Sequence, residues 1–274
     1  MVCHETYKDE DNNWISPDEI TTVNGKKFLK NDNSKQIKVG PSESMSKSKK
    51  NTIDPQNIID NYGADSVRLF ILSDSPPEKD VQWSEEGMSA SYKFIQKLWN
   101  LHLKILREIE KNHTKDNSED LNKYTNKLIK NVSSNLESFS YNIIIANFHE
   151  MYSFLNKEID KGYCQKTIRE NYEKILILMM PVLPHFANEC LEMISTEKAQ
   201  EWPAYDKNKL MESSIPIVIQ VNGKKRGLIE VERDISETNF IELVKNNDKI
   251  KKYIENKPIK RKIFIKNKLL NLII

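Results

Sequence analysis

Ser44-Met45-Ser46-Lys47-Ser48 sets three hydroxyls within five residues, and Lys47, Lys49 and Lys50 set three ammonium groups within four. Hydroxyls and backbone N–H groups on such a segment can hydrogen-bond phosphate oxygens, while Lys47 contributes a compact positive charge where phosphoryl charge develops. A mobile segment of this composition can close over a triphosphate, tighten during reaction and release pyrophosphate. An ordinary basic surface loop has the same composition, so these residues alone leave both readings open. A second cationic cluster, Lys224-Lys225-Arg226, follows Asn222-Gly223 on a tight hairpin, and Gly227 lets a backbone approach closely. Residues 215–274 hold 14 Lys/Arg against 7 Asp/Glu, a net of +7 in a chain whose total is +2. Concentrated basic charge points to a polyanion bound through its phosphates, with Lys257, Lys260, Arg261 and Lys262 available to the same surface.

Other residue types carry less. Cys3, Cys164 and Cys190 lie far apart and make no C-x-x-C pair, as expected of free thiols in a reducing compartment. Cys3 beside His4 lacks the second ligand pair of a structural zinc site, so no metal site is expected. His149 and His185 fall within helical stretches and read as core or surface histidines. Asp60, Asp65 and Arg68 read as helix-end or ion-pair contacts, and Trp83 and Trp202 as packing anchors.

The elements that must position these groups are mainly helical. Only 7 of 274 residues are Gly, and charged residues make up 30%. That glycine content disfavours a turn-rich β sandwich, and the length calls for two or more packed units. Asn24-Gly25 signals a hairpin and Ile37-Lys38-Val39 a short strand leading into an exposed, mobile loop from Gly40 to Asn51. Asp54-Pro55 starts a helix that Gly63 ends, and a second short helix runs from Asp65 to Ser73. From Gly87 to about Ile194, apolar residues recur at helical spacing: Phe94, Leu98, Leu101, Ile105 and Ile109 form the first stripe. Three further stripes, and exposed connections at 111–119 and 161–165, predict an antiparallel bundle, with a fifth helix from Pro184. After Glu201-Trp202-Pro203, alternation at Ile215, Ile217, Ile219 and Val221 predicts a strand, Leu228 to Val231 its partner, and Ser236 the cap of a helix. Ile259 to Ile265 and Leu269 to Ile274 read as closing strands of a small α+β module. The polar N-terminal segment is no signal peptide, and Pro181 and Pro184 interrupt the most apolar stretch. A soluble, cytoplasmic chain without membrane contact is expected.

Met45 to Pro55 (Met-Ser-Lys-Ser-Lys-Lys-Asn-Thr-Ile-Asp-Pro), followed by Tyr62-Gly-Ala-Asp65-Ser-Val-Arg68, resembles the second signature region of class I aminoacyl-tRNA synthetases, usually written Lys-Met-Ser-Lys-Ser. Met1-Val-Cys-His-Glu-Thr-Tyr7, Ser75-Pro-Pro-Glu-Lys-Asp80 and Val221-Asn-Gly-Lys-Lys-Arg226 are most similar to the leucyl branch of that class. The isoleucyl and valyl enzymes share the loop and the Tyr-Gly-Ala-Asp element but are not expected to share the Ser75-to-Asp80 run or the Val-Asn-Gly-Lys segment at 221–224. The resemblance implies activation of leucine with ATP and Mg²⁺, then transfer to tRNA(Leu). It assigns the ATP-binding loop to Ser44, Met45, Ser46, Lys47 and Ser48, the direct catalytic ATP contact to Lys47, and tRNA contact to Lys224, Lys225 and Arg226. Ser44 stands where the family has its first lysine, for which Lys49 or Lys50 is the available substitute.

The resemblance further implies the end of an α/β nucleotide-binding catalytic domain at 1–53 and stem-contact helices at 54–86. An anticodon-binding-type bundle would follow at 87–200 and a tRNA-binding α+β module at 214–274. None of His4, His102, His113, His149 and His185 sits in the family's His-x-Gly-His signature, so activity is expected to need an N-terminal catalytic region, in the same or a separate chain. The rival expectation is a stand-alone RNA-binding protein. Retention of the phosphate-clamping loop weighs against it.

Overall fold

Cys3, Thr6 and Tyr7 are the buried residues of β1 (Val2–Lys8), the first strand of the computed structural model. Asn24 and Gly25, at φ 50° and 76°, take the left-handed pair of angles that a two-residue hairpin needs. They join β2 (Ile20–Val23) to β3 (Lys26–Leu29), and β4 (Asp32–Gln36) completes a small antiparallel sheet. The chain then returns as β5 (Lys38–Ser44), antiparallel to β1 with Cys3 opposite Ser44 and His4 opposite Glu43. Gly40 to Ser44 is therefore strand, where an exposed loop was expected. The edge of β1 supplies backbone partners, and pairing through the backbone needs no apolar side chains. The other edge of β1 takes β6 (Val81–Gln82) in parallel. The structure describes residues 1–73, 75–111, 113, 118–194, 201–210, 214–232, 234–254 and 257–274.

Asp54 accepts the Gln56 N–H at 3.0 Å and caps α1 (Pro55–Tyr62), while Gly63, at φ 79°, closes it. Then α2 (Ala64–Ser73) leads toward α3 (Glu85–Glu110), which Ser84 caps by accepting the Gly87 N–H at 3.1 Å. Four more helices, α4 (Ser118–Glu137), α5 (Tyr141–Glu158), α6 (Gln165–Met179) and α7 (Pro184–Ile194), share one core with α3. Leu98, Leu101 and Ile105 meet Leu128, Phe148, Met151, Ile175 and Leu176 there, as the helical stripes predict. The connection at 161–165 is not an exposed one. Tyr163 is buried and donates its hydroxyl to Glu158 at 3.0 Å. Most of the other expected connection, 112 and 114–117, lies outside the described residues, and Ser118 and Glu119 already belong to α4.

These elements make up one compact unit, Met1–Asp206, and Lys207–Ile274 forms a second. In the second unit β7 (Ser214–Val221) and β8 (Lys224–Glu232) form a hairpin around Asn222 and Gly223 at φ 51° and 77°. Then come α8 (Glu237–Lys245), capped by Ser236, and α9 (Asp248–Ile254), a short helix with no counterpart among the expected elements. The closing strands are β9 (Arg261–Ile265) and β10 (Leu269–Ile273), in the sheet order β8-β7-β10-β9. Phe240, Val244 and Ile250 of the two helices pack with Ile217, Ile219, Leu270 and Leu272 of the sheet. The protein is mainly helical with small sheets. Among the described residues no helix is long and apolar enough to cross a membrane.

Candidate functional site

Ser44 ends β5, and the six residues after it make a tight turn. Ser46 is extended, Lys47–Lys49 forms one 3-10 turn, and Lys50 closes it at φ 51°. The Ser46 hydroxyl lies 2.7 Å from that of Ser48. Lys49 is ion-paired with Glu43, so its charge is already committed. Lys47 is exposed, and its side chain has no ion-pair or hydrogen-bond partner among the described residues, leaving its ammonium group free for an anion. Ser44 faces Cys3 across the ladder, its hydroxyl 3.9 Å from the thiol and half-buried. It is thus held on a strand while Lys47 rides on the turn.

Beneath the turn lies Asn51, which no motif singled out. It is fully buried, its Oδ1 accepts the Ser46 N–H at 2.8 Å, and its Nδ2 donates to the carbonyls of Glu43 at 3.1 Å and His4 at 3.3 Å. A second unanticipated group lies nearby on β1 and β3. Lys27 Nζ donates to Glu5 at 2.7 Å and to the Tyr7 hydroxyl at 2.8 Å, on the wall of a cavity of about 570 Å³. The Lys27 hydrogen bond holds the Glu5 carboxyl below the usual range, whereas burial raises the Tyr7 phenol and lowers the His4 imidazole. Glu5 and Lys27 lie on strands of two different sheets and meet only through the fold, so spacing gave no signal for them.

The basic cluster of the second unit differs from expectation. Lys224, Lys225 and Arg226 open the strand β8 and are not part of the two-residue turn itself. Lys224 pairs with Val221 and Lys225 with Gln220, and a register shift leaves Arg226 as the extra residue of a bulge. Its guanidinium sits 4.4 Å from the Tyr253 ring centroid, a cation–π contact. Gly227 makes room for the protein itself: a Cβ there would lie 2.6 Å from Ile250 Cδ1. All three cations are still exposed, as are Lys257, Lys260, Arg261 and Lys262.

The remaining candidates are structural. Asp65 accepts from His185 Nδ1 at 2.9 Å and from the Phe186 N–H at 2.8 Å, and Arg68 donates to the carbonyls of Val182 at 3.0 Å and Pro181 at 2.7 Å. Asp60 accepts from Gln56 at 2.7 Å. His149 lies tilted against Phe94 with centroids 3.8 Å apart, and Trp83 meets Phe70 edge-on at 5.4 Å. Trp202, 41% exposed, is anchored through its indole N–H to Ser133 at 2.9 Å. Among the described residues no three of His, Cys, Asp and Glu are grouped as metal ligands would be.

Two family profiles match the chain. That of the "tRNA synthetases class I (I, L, M and V)" covers residues 37–84, including the turn, and that of the "Anticodon-binding domain of tRNA ligase" covers 118–255. Leucine–tRNA ligase of Orientia tsutsugamushi (strain Boryong) is 38% identical over 280 residues, and that of Bartonella tribocorum 35% over 289. Both alignments take in 100% of this chain, which spans 33% and 32% of those proteins, about a third of their length. A solved structure, the ternary complex of Agrobacterium radiobacter K84 agnB2 LeuRS-tRNA-LeuAMS, shares the fold with a TM-score of 0.68 over 84% of this chain and 30% of that one, at 19% identity. A serine- and lysine-rich turn at 44–50, a helical core matching the anticodon-binding profile and whole-chain identity to leucine–tRNA ligases converge: the chain belongs to the family of tRNA ligases that carry this anticodon-binding domain, and along its whole length it matches a C-terminal part of the leucine enzymes among them.

Proposed function

We propose that this chain supplies the second signature turn and the tRNA-binding parts of a leucine–tRNA ligase. The observation that carries the reading is the unpartnered ammonium group of Lys47 within a serine-rich turn, where the neighbouring Lys49 is neutralised by Glu43 and Lys50 only closes the turn. ATP enters as its magnesium complex. The leucine carboxylate attacks the α-phosphorus, the bond to the β-phosphate oxygen breaks, and leucyl-adenylate forms as pyrophosphate leaves. Lys47 Nζ lies over the departing phosphates and offsets their growing charge. The Ser46 and Ser48 hydroxyls offer hydrogen bonds to the same oxygens. A ribose hydroxyl at the 3′ end of tRNA(Leu) then attacks the leucyl carbonyl, the acyl–phosphate bond breaks, and AMP leaves as the ester forms.

In this reading residues 1–53 close the catalytic domain and 54–86 form the stem. Residues 87–200 are the anticodon-binding-type bundle and 214–274 the module that grips tRNA phosphates. Asp65 and Arg68 support it by tying the stem to the turn that opens α7. The remaining catalytic region belongs to another stretch of polypeptide.

Leucine-dependent ATP–pyrophosphate exchange tests this directly. The chain alone should give no exchange, and the chain joined to or mixed with its N-terminal catalytic region should give exchange with leucine well above that with isoleucine or valine. Exchange by the chain alone, or equal rates with all three amino acids, would overturn the assignment.

A further inference from the structure

Residues 44–50 are polar apart from Met45, yet the structure holds them in one defined turn. The side chain responsible is Asn51, 0% exposed between the exposed residues Lys50 and Thr52. His4 and Glu43, whose carbonyls receive its Nδ2–H bonds, face each other in the β1–β5 ladder, so the carboxamide straddles the end of that ladder. Its other end, Oδ1, takes the Ser46 N–H at 2.8 Å, one residue before Lys47. The ion pair between Lys49 and Glu43 ties the far side of the turn to the same strand residue. Both functions of the amide are therefore spent on fixing the backbone that carries Lys47, and neither is left for a ligand.

We propose that Asn51 is a positioning residue for Lys47: it pins the turn to the ladder end so that the ammonium group meets the phosphates without a search. The inference rests on the assignment of Lys47 to the ATP phosphates. Asn51→Ala removes these hydrogen bonds, together with the long one from Nδ2 to the Ser44 carbonyl at 3.5 Å. Asn51→Asp keeps an acceptor for the Ser46 amide and replaces the donor with an oxygen that these carbonyls repel.

Both variants, together with Lys47→Ala and the double variant Lys47→Ala/Asn51→Ala, are measured by ATP–pyrophosphate exchange in the chain assayed with its catalytic region. Amide hydrogen exchange at Ser46 is followed alongside. Asn51→Ala is expected to speed exchange at the Ser46 amide and to lower kcat by up to about 10²-fold, the scale of a 1 Å misplacement, with KM for leucine unchanged. Asn51→Asp should fall between Asn51→Ala and wild type. In the Lys47→Ala background Asn51→Ala should cost less than about 2-fold more, because a positioning residue has nothing left to position. Additive losses in the double variant, or a raised KM for leucine, would show a general structural role and overturn the inference. A large loss from Lys47→Ala with none from Asn51→Ala overturns the inference alone, and no loss from either variant overturns the phosphate assignment with it.

Discussion

Asp65 and His185 lie 120 residues apart in sequence and meet at 2.9 Å, with the second carboxylate oxygen of Asp65 on the Phe186 N–H at 2.8 Å. A side chain of α2 thus caps the first turn of α7, where N–H groups lack intrahelical partners and negative charge is favoured. Asp65→Ala leaves the buried Phe186 N–H unpaired and should destabilise the first unit by about 1–3 kcal/mol. Asp65→Asn, which keeps one acceptor, should cost less. All four tryptophans, Trp14, Trp83, Trp99 and Trp202, lie in this unit, so tryptophan fluorescence during urea unfolding reads it. Equal stability of wild type and Asp65→Ala would remove the capping role.

Gly87 sets two effects of opposite sign against each other. In a helix, Gly→Ala ordinarily stabilises by up to about 1 kcal/mol. Here the added Cβ would lie 2.6 Å from Phe70 Cε2 and 3.0 Å from Cδ2, and Phe70 is itself wedged against Trp83. Overpacking against a ring costs about 1–3 kcal/mol, so Gly87→Ala is predicted to be net destabilising by fluorescence-detected unfolding.

His102 is fully buried, with Nδ1 3.1 Å from the Tyr172 hydroxyl, and burial pushes its pKa from 6.5 down to about 4. Between those values the unfolded chain binds a proton that the folded one refuses. Stability therefore falls as pH drops from about 6.5 to about 4, by up to about 3 kcal/mol, and stops falling from this source below that. His102→Gln, which cannot titrate, should remove this part of the pH dependence. An unchanged slope in the variant would place the titration elsewhere.

The second unit should bind tRNA largely through phosphates. Replacing Lys224 and Lys225 with Ala is predicted to flatten the salt dependence of binding by roughly 0.7–0.9 logarithmic units for each phosphate contact removed, and to weaken different tRNAs alike. Arg226→Ala should act differently, since its guanidinium also covers Tyr253: it should lower the stability of the unit as well as its affinity. Titrations of labelled tRNA at several salt concentrations decide between these outcomes.

Local signals proved readable where local physics decides the conformation. The Asn-Gly pairs at 24–25 and 222–223, the Asp54-Pro55 start and the Phe94–Leu98–Leu101–Ile105 stripe each depend on neighbours within a few residues, and each forms the element it predicts. Gly40–Ser44 defied its composition because its partner is β1, some 40 positions away. Tyr163 was hidden for the same reason: its place in the core is set by helices far from it in sequence, and its hydroxyl is satisfied by Glu158. At the site, Lys47 and its serines were legible as chemistry. Asn51 was not, because an asparagine after a lysine run looks like any solvated residue until the ladder end closes over it. Arg226 was legible as a charge but not as a partner of Tyr253, which a seven-residue helix delivers.

The most direct test of the phosphate assignment is the rate of leucyl-adenylate formation in the chain assayed with its catalytic region, comparing wild type, Lys47→Ala and Ser44→Lys. Lys47→Ala is predicted to slow adenylate formation by about 10²–10³-fold, the scale for removing one charge-stabilising donor. Ser44→Lys, which changes a half-buried strand position opposite Cys3, is predicted to alter the rate far less. Equally mild effects of the two substitutions would contradict the assignment of Lys47 to the ATP phosphates.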